Sequence, residues 1–415
     1  MKNRNPKLVS DFYFCLYRSV YMEWEVEEAK NNTLTLKINN KYIYSKYNPQ
    51  LDVERFIESE NIVNGSKVLI VGLGLGYHLD YLIENYPNCI IKYILLFPEE
   101  EAIYKNHNVK QLIESENISV YTGEPKFLRD AKVIIPQVFL NVVTEKHPLF
   151  TFLADIKIRQ VSFKRFKNQM EENFNENTSL FNEVAVDSPS NKRAALVSSG
   201  PSLNETVKWL KQNEVFFDIY CVGSALKILL DHNIQPKAVL ITDAQDNIIN
   251  QLDDRYNGTL LALCTANYVA VREFKGMKRI LFQSGYKLAE EFVKGKNQFL
   301  LETGGSVATT AFSYIEKLGY ESLFLFGQDL GFKGENTHAI GSTSGRKTSC
   351  NNRLEEIEAN DGTKIYSVQN LLTYKRWFDR AIPNSKMQVY NTAVSGAKLK
   401  KCEVFDVKLN SIEQL

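Results

Sequence analysis

The chain has 415 residues, with 50 lysines and arginines against 49 aspartates and glutamates, for a net charge of +1. That length points to two or three domains, and the balanced charge, with no basic stripe, argues against a protein that works on nucleic acid. No apolar run approaches the roughly 20 residues of a membrane span, and Met1-Lys-Asn-Arg-Asn-Pro6 opens no apolar leader, so a cytoplasmic protein is expected.

The 44% hydrophobic and 24% charged fractions are those of packed globular protein. Basic residues stand close to acidic ones, as Lys208 does to Glu205 and Arg353 to Glu355 and Glu356, which reads as a solvated mixed surface. The six cysteines (15, 89, 221, 264, 350 and 402) show no CxxC and no metal-like spacing. Cys221 and Cys264 lie inside apolar runs, where a reduced thiol acts as a small core side chain.

Residues 1 to about 60 combine a tyrosine-rich helical stretch with an alternating segment, Thr33 to Ile38, that reads as a hairpin strand. From Lys67 the pattern becomes α/β. Lys67–Val71 is a buried strand, Gly72-Leu-Gly74-Leu-Gly76 a turn, Tyr77–Glu84 an amphipathic helix and Ile90–Leu96 the next strand, making one βαβ unit. A charged helical stretch between about 150 and 185 connects to a second series of strands at 194–198, 219–222, 238–242, 260–264, 279–282 and 322–326. Helices at 205–212, 225–232 and 306–318 alternate with most of them. Strands without polar alternation, interleaved with helices, indicate a mostly parallel sheet covered on both faces.

The expected fold is therefore a Rossmann-like central domain (186–345) preceded by a smaller Rossmann-like domain with a hairpin (1–185). A C-terminal segment (346–415) packs on the central domain, with a Gly/Ser/Thr-rich loop at 341–348 leading to a helix near 369–380 and a closing strand near 387–390.

Ligands of an open parallel sheet bind beyond the carboxyl ends of its strands. The central strands deliver Ser198-Ser199-Gly200-Pro201-Ser202, Gly223-Ser224, Asp243-Ala-Gln-Asp246 and Gly327-Gln328-Asp329 at that edge, and Thr303-Gly304-Gly305-Ser306 opens a helix. Glycines allow backbone to approach phosphate, and helix N-termini present free N–H groups. The two glycine turns therefore read either as plain caps or, together at one edge, as a phosphate cradle. Asp243 and Asp246 stand as DxxD rather than DxD. That spacing favours hydrogen bonds to ribose or sugar hydroxyls, or a helix cap, over a metal. Asp329, just past a buried strand, is placed either to act in the site or to anchor the loop that follows. His338, in a polar loop beyond it, is the candidate general base.

These residues resemble the motility-associated factor (Maf) family of bacterial flagellin glycosyltransferases. The segments concerned are Ser199-Gly-Pro-Ser-Leu203, Pro236-Lys-Ala-Val239 leading to Asp243, Thr303-Gly-Gly-Ser-Val-Ala308, Leu318-Gly-Tyr320 and Phe326-Gly-Gln-Asp329. Gly72 to His78 and Tyr390 to Ala397 extend the resemblance over most of the chain. More distantly it is similar to single-domain bacterial sialyltransferases. The resemblance implies inverting transfer of a nonulosonic acid, of pseudaminic or legionaminic type, from a CMP-activated donor to serine or threonine of flagellin, with no essential metal or other cofactor. The carboxyl-edge reading gives Ser199, Gly200, Pro201, Ser202, Ser224, Asp243, Thr303, Gly304, Gly305, Ser306 and Gln328 as candidate substrate contacts and His338 and Asp329 as candidate catalytic residues, the histidine having no counterpart motif in the sialyltransferases that aligns here. The sialyltransferases carry tyrosines shortly after their Gly-x-Asp segment to steady the leaving phosphate. Here those places hold Gly331-Phe332 and Thr337, which leaves Tyr366 or Tyr374 for that work, or a different mechanism.

Three alternatives stay open. The central domain also resembles archaeal pterin pyrophosphokinases. Gly72-x-Gly74-x-Gly76, with Glu99 about 20 residues on, fits a dinucleotide or S-adenosylmethionine site and hence a methyltransferase, although a degenerate domain serving acceptor binding or assembly is preferred. A non-catalytic flagellin-binding module is the third.

Overall fold

The computed structural model describes residues 22–60, 62–107, 117–121, 131–143, 147, 149–181, 189, 192–334, 336–344 and 354–414; within 150–165 it describes the backbone and the Leu153 side chain. Most of the expected N-terminal helical stretch, Cys15, Cys350 and residues 345–348 of the Gly/Ser/Thr-rich loop lie outside these residues. The chain divides into two compact units, Met1–Gln160 and Val161–Leu415.

In the first unit, β1 (Trp24–Glu28), β2 (Leu34–Ile38) and β3 (Lys41–Tyr42) form an antiparallel sheet. Leu36 and Ile38 point inward while Lys37, between them, reaches Glu27 at 2.5 Å, the two-residue period expected of a half-buried strand. Helix α1 (Pro49–Ser59) starts where the Asn48 side chain accepts the Leu51 amide, with Pro49 fixing the first turn. The rest is a four-stranded parallel sheet: β4 (Lys67–Val71), α2 (Tyr77–Asn85), β5 (Ile90–Ile94), α3 (Glu99–His107), β6 (Ile118–Val120), β7 (Lys132–Ile134) and α4 (Gln137–Val142), in strand order β6-β5-β4-β7. Val68 to Val71 are all buried, as a strand covered on both faces requires. The long α5 (Phe150–Ser179) runs through the boundary between the units.

The second unit is built on a nine-stranded parallel sheet. In chain order come β8 (Arg193–Val197), α6 (Leu203–Gln212), β9 (Asp218–Val222), α7 (Gly223–Asp231), β10 (Ala238–Ile241), β11 (Thr259–Leu263), α8 (Tyr268–Glu273), β12 (Met277–Gln283), α9 (Lys287–Phe292), β13 (Leu300–Leu301), α10 (Val307–Leu318), β14 (Ser322–Phe326), β15 (Glu355–Glu358), β16 (Lys364–Ser367), α11 (Gln369–Ala381), β17 (Gln388–Asn391) and β18 (Glu403–Val404). Strand order is β13-β12-β11-β10-β9-β8-β14-β17-β18, with β15 and β16 paired separately as a hairpin. The C-terminal segment thus supplies two strands where the sequence shows one, and its hairpin lies against the loop after β14 through a bridge between Phe332 and Tyr366.

Because the connections of parallel strands are right-handed, the α10 crossover that returns from β13 to β14 lies on the opposite face from α6 and α7. Phe217, Phe324, Phe326, Trp209, Tyr390 and Phe405 interlock on one side of the sheet, with Phe324 stacked on Tyr390 at 4.5 Å between ring centroids. At the amino end of the strands a buried chain of polar groups links Lys237 Nζ to Asp218 (2.7 Å), Asp218 to the Tyr320 hydroxyl (2.6 Å) and Tyr320 to Tyr220 (2.8 Å). That network holds the end of the sheet remote from the carboxyl edge.

Candidate functional site

The strand order reverses between β8 and β14, so the loops leaving these two strands diverge there and form the crevice where doubly wound sheets take ligands. In this chain the crevice is closed by the protein's own hydrogen bonds. Ser198 Oγ donates to Gln328 Oε1 at 2.7 Å, and the Gly200 amide donates to the Gly327 carbonyl at 2.8 Å. Ser202 donates to Asp329 twice, from its amide (3.1 Å) and from its hydroxyl (2.8 Å). A Cβ on Gly200 would stand 2.2 Å from Asp329 Oδ2, and one on Gly327 would stand 2.2 Å from the Ser198 carbonyl, which is why both positions are glycine.

The sequence leads one to expect the amides of Gly200 and Ser202 to face a phosphate. The structure places them instead on Gly327 and Asp329, because Asp329 is itself the anion at this turn, and Pro201 offers no N–H at all. Asp329 is 5% exposed. Burial pushes its carboxyl up to about 6 from 3.8, against the opposing hydrogen bonds from Ser202. Its carbonyl also receives the Ala397 amide at 2.7 Å, tying in the C-terminal segment. With both oxygens turned into this knot, Asp329 is a positioning residue rather than one of a catalytic pair.

A second set of hydroxyls lies to one side of the crevice, buried under the loop after β14. The hydroxyls of Ser199 and Ser224 meet at 2.7 Å, Ser224 lying in the first turn of α7. The loop after β14 folds over them. The Ala339 amide donates to the Ser199 carbonyl (2.8 Å), the Ile340 amide to Asn204 Oδ1 (3.0 Å) and Gln251 Nε2 to Ser344 Oγ (3.1 Å). His338, next to Ala339, is thereby brought to the Ser199 edge, partly buried, with Nδ1 2.8 Å from Thr337 Oγ1.

The start of α10 forms a second group at the same edge, since the helix follows β13 and packs across β8, β9 and β10. Ser306 caps it by accepting the Thr309 amide at 3.2 Å, and Thr309 Oγ1 accepts the amides of Ser306 (3.2 Å) and Gly304 (3.0 Å). The amides of Val307 and Ala308 take no acceptor among the described residues. The Trp377 indole lies on Gly304 so closely that a Cβ there would be 2.5 Å from its Cγ, and its buried Nε1 has no partner among the described residues. Tyr374 lies against Gly305, 3.5 Å from where its Cβ would be. Burial raises the Tyr374 hydroxyl above its usual range, opposed by a hydrogen bond with Asn370, and the nearby charge of Asp243 pushes it further the same way. Tyr374 thus lies against the Thr303–Ser306 turn and feels the charge of Asp243, which follows β10 and accepts the Gln245 amide at 3.0 Å. Tyr366, the other tyrosine considered from the sequence, is 46% exposed beside Phe332.

Three contributors escaped the sequence reading. Asn173 Nδ2 donates to the carbonyls of Ala244 (3.2 Å) and Thr265 (3.1 Å), while Asn177 Nδ2 donates to those of Cys264 (3.1 Å) and Ala266 (2.7 Å). The helix that looked like a charged connection thus holds the carboxyl edge of β10 and β11. The only signal was two asparagines one turn apart flanking Phe174. Trp377 is the third, and nothing in its local sequence marks it.

Comparison with known proteins is consistent with this architecture. Residues 167–335 match the family described as 6-hydroxymethylpterin diphosphokinase MptE-like. No curated protein matches the sequence. A solved MAf glycosyltransferase from Magnetospirillum magneticum AMB-1 superposes with a TM-score of 0.50 over 98% of this chain and 73% of that one, at 15% identity. The chain therefore carries the α/β fold of that Maf glycosyltransferase, around a central segment similar to the MptE-like family.

Proposed function

We propose that the chain is a cytoplasmic glycosyltransferase that moves a nonulosonic acid, of pseudaminic or legionaminic type, from a CMP-activated donor to serine or threonine hydroxyls of flagellin. One observation carries the reading: the start of α10, where the Val307 and Ala308 amides take no acceptor among the described residues, beside Tyr374, with the Asp243 charge within electrostatic reach of its hydroxyl. Donors gathered at a helix N-terminus suit a phosphate whose charge grows as the glycosidic bond breaks. The Tyr374 hydroxyl steadies the departing phosphate, and Asp243 takes ribose or sugar hydroxyls. The serine pair at 199 and 224 orients the donor. His338 accepts the proton of the acceptor hydroxyl as it attacks the anomeric carbon, inverting it. Asp329, Gln328, Gly200 and Ser202 act at one remove, by holding the β8 and β14 loops in register.

The match of residues 167–335 to a 6-hydroxymethylpterin diphosphokinase family favours a second reading, diphosphoryl transfer from ATP to a pterin. A thermal-shift screen of CMP, UDP, GDP, ATP with magnesium, and S-adenosylmethionine separates them, because a ligand that binds only the folded chain raises its melting temperature. CMP is expected to give the large shift. A shift with ATP and magnesium but none with CMP overturns the glycosyltransferase reading. His338→Ala is then expected to bind CMP normally and to lose transfer; near wild-type transfer removes His338 from the reaction.

A further inference from the structure

The first unit contains a glycine-rich turn after its leading strand, Gly72-Leu73-Gly74-Leu75-Gly76, of the kind that cradles the phosphates of a dinucleotide with its backbone N–H groups. All five N–H groups of this turn are engaged by the chain itself. Gly72 donates to the Ile94 carbonyl (2.9 Å) and Gly76 to the Leu73 carbonyl (2.9 Å). Leu73 and Gly74 donate to Glu100 Oε2 at 2.5 and 3.2 Å, and Leu75 donates to the Tyr44 hydroxyl at 3.1 Å.

Glu100 makes these contacts from the first turn of α3 and is fully buried. Its other oxygen accepts the amides of Leu96 (2.8 Å) and Phe97 (3.0 Å), at the end of β5. That second pair alone would be an ordinary reach-back cap of a helix. The Oε2 contacts go further, since they join the glycine turn after β4 to the end of β5, filling the place where that turn would meet a ligand's phosphate. The remaining space is also filled. A Cβ on Gly74 would stand 2.6 Å from the Tyr44 hydroxyl, and one on Gly72 would stand 2.3 Å from the Phe139 ring. The Tyr77 hydroxyl donates to the Leu34 carbonyl at 2.7 Å, which brings the β1–β3 sheet over the start of α2.

We propose that this turn is a nucleotide cradle occupied by the chain's own carboxylate: Glu100 holds the position of an anionic ligand group, and the unit binds neither a dinucleotide nor S-adenosylmethionine. Gly72 and Gly74 are needed because the turn passes against Phe139 and Tyr44 with positive φ, with no cofactor required to explain them. The proposal stands apart from the reading of the second unit, and its test does not involve that site.

The test uses the full chain and its melting temperature. Wild type is expected to show no shift with NAD or S-adenosylmethionine. Glu100→Ala is expected to melt lower by about 5 °C or more. Acetate or formate, small enough to fill the emptied position, should restore part of that loss, whereas chloride at equal ionic strength should not. Glu100→Gln keeps the volume but points an NH2 group at backbone donors, so it should also melt below wild type. The proposal is overturned by a rise in the wild-type melting temperature with NAD or S-adenosylmethionine, by Glu100→Gln melting as wild type does, or by acetate failing to restore a folded Glu100→Ala. Should Glu100→Ala fail to fold, the ligand arm and the Gln variant still decide.

Discussion

Asp329 and Ser202, 127 positions apart in the chain, are joined by two hydrogen bonds from one serine to one buried carboxylate, at 3.1 and 2.8 Å. This contact closes the crevice at the strand-order reversal and caps the approach to α6. It converts what looks like a reactive aspartate at a sheet edge into a structural tie. The groups of the edge not tied into this knot then lie over β9 and β10, from the Ser199–Ser224 pair to the start of α10.

The tie should show itself in the pH dependence of stability. Burial raises the Asp329 carboxyl from 3.8 to about 6, so its proton is held more tightly in the folded state. Its contribution is therefore present in full below about 3.8 and is lost as pH rises through about 6. That difference corresponds to about 3 kcal/mol between the two ends of the window. Burial raises the Glu100 carboxyl to about 7, which adds its own fall with pH, so urea titrations at pH 4, 5, 6 and 7.5 should show a shallower slope in Asp329→Asn than in wild type, not a flat one.

The turn at the start of α10 offers a paired comparison. Gly305 has φ +91°, so Gly305→Ala strains the backbone while its methyl meets only the Tyr374 ring edge. Gly304→Ala instead drives a methyl into the Trp377 indole. Both should lose about 1–3 kcal/mol of stability by denaturant titration. Gly304→Ala, by displacing Trp377, should also weaken CMP binding about tenfold in equilibrium dialysis, equivalent to about 1.4 kcal/mol.

Asn173→Ala leaves the carbonyls of Ala244 and Thr265 and the Tyr268 amide without their partner. Buried backbone groups stripped of hydrogen bonds should lower stability by about 2–4 kcal/mol. Asn177→Ala, which strands the carbonyls of Cys264 and Ala266, should behave alike. Urea midpoints measure both. A change within experimental error would show that α5 does not hold the edge.

Tyr320→Phe is the control for the opposite end of the sheet. It removes the hydroxyl that joins Asp218 to Tyr220. Stability should fall by about 1–2 kcal/mol. CMP binding should stay within about twofold, since changes at distant sites without shared partners act independently.

Most of the architecture was legible from the residues themselves. Runs such as Lys67–Val71 and Ser322–Phe326 become strands covered on both faces because nearly every side chain in them is buried, so their short apolar spans between turn residues suffice to place them. The carboxyl-edge segments could be named for the same reason: in an open parallel sheet the chain direction fixes which loops gather at that edge.

What spacing along the chain does not contain is the partner of each polar group. The Gly200 turn and the Gly72 turn each look like an open phosphate cradle in sequence, and in the fold each is filled by a carboxylate from elsewhere, Asp329 in one and Glu100 in the other. The start of α10 looks the same in sequence but keeps donors unmatched, beside an indole contributed 73 positions after Gly304. Local sequence determines where a turn will bend and which amides it presents. Only the packing of distant segments, driven by burial of the apolar faces around them, decides whether those amides meet the protein's own oxygen atoms or are left for a ligand.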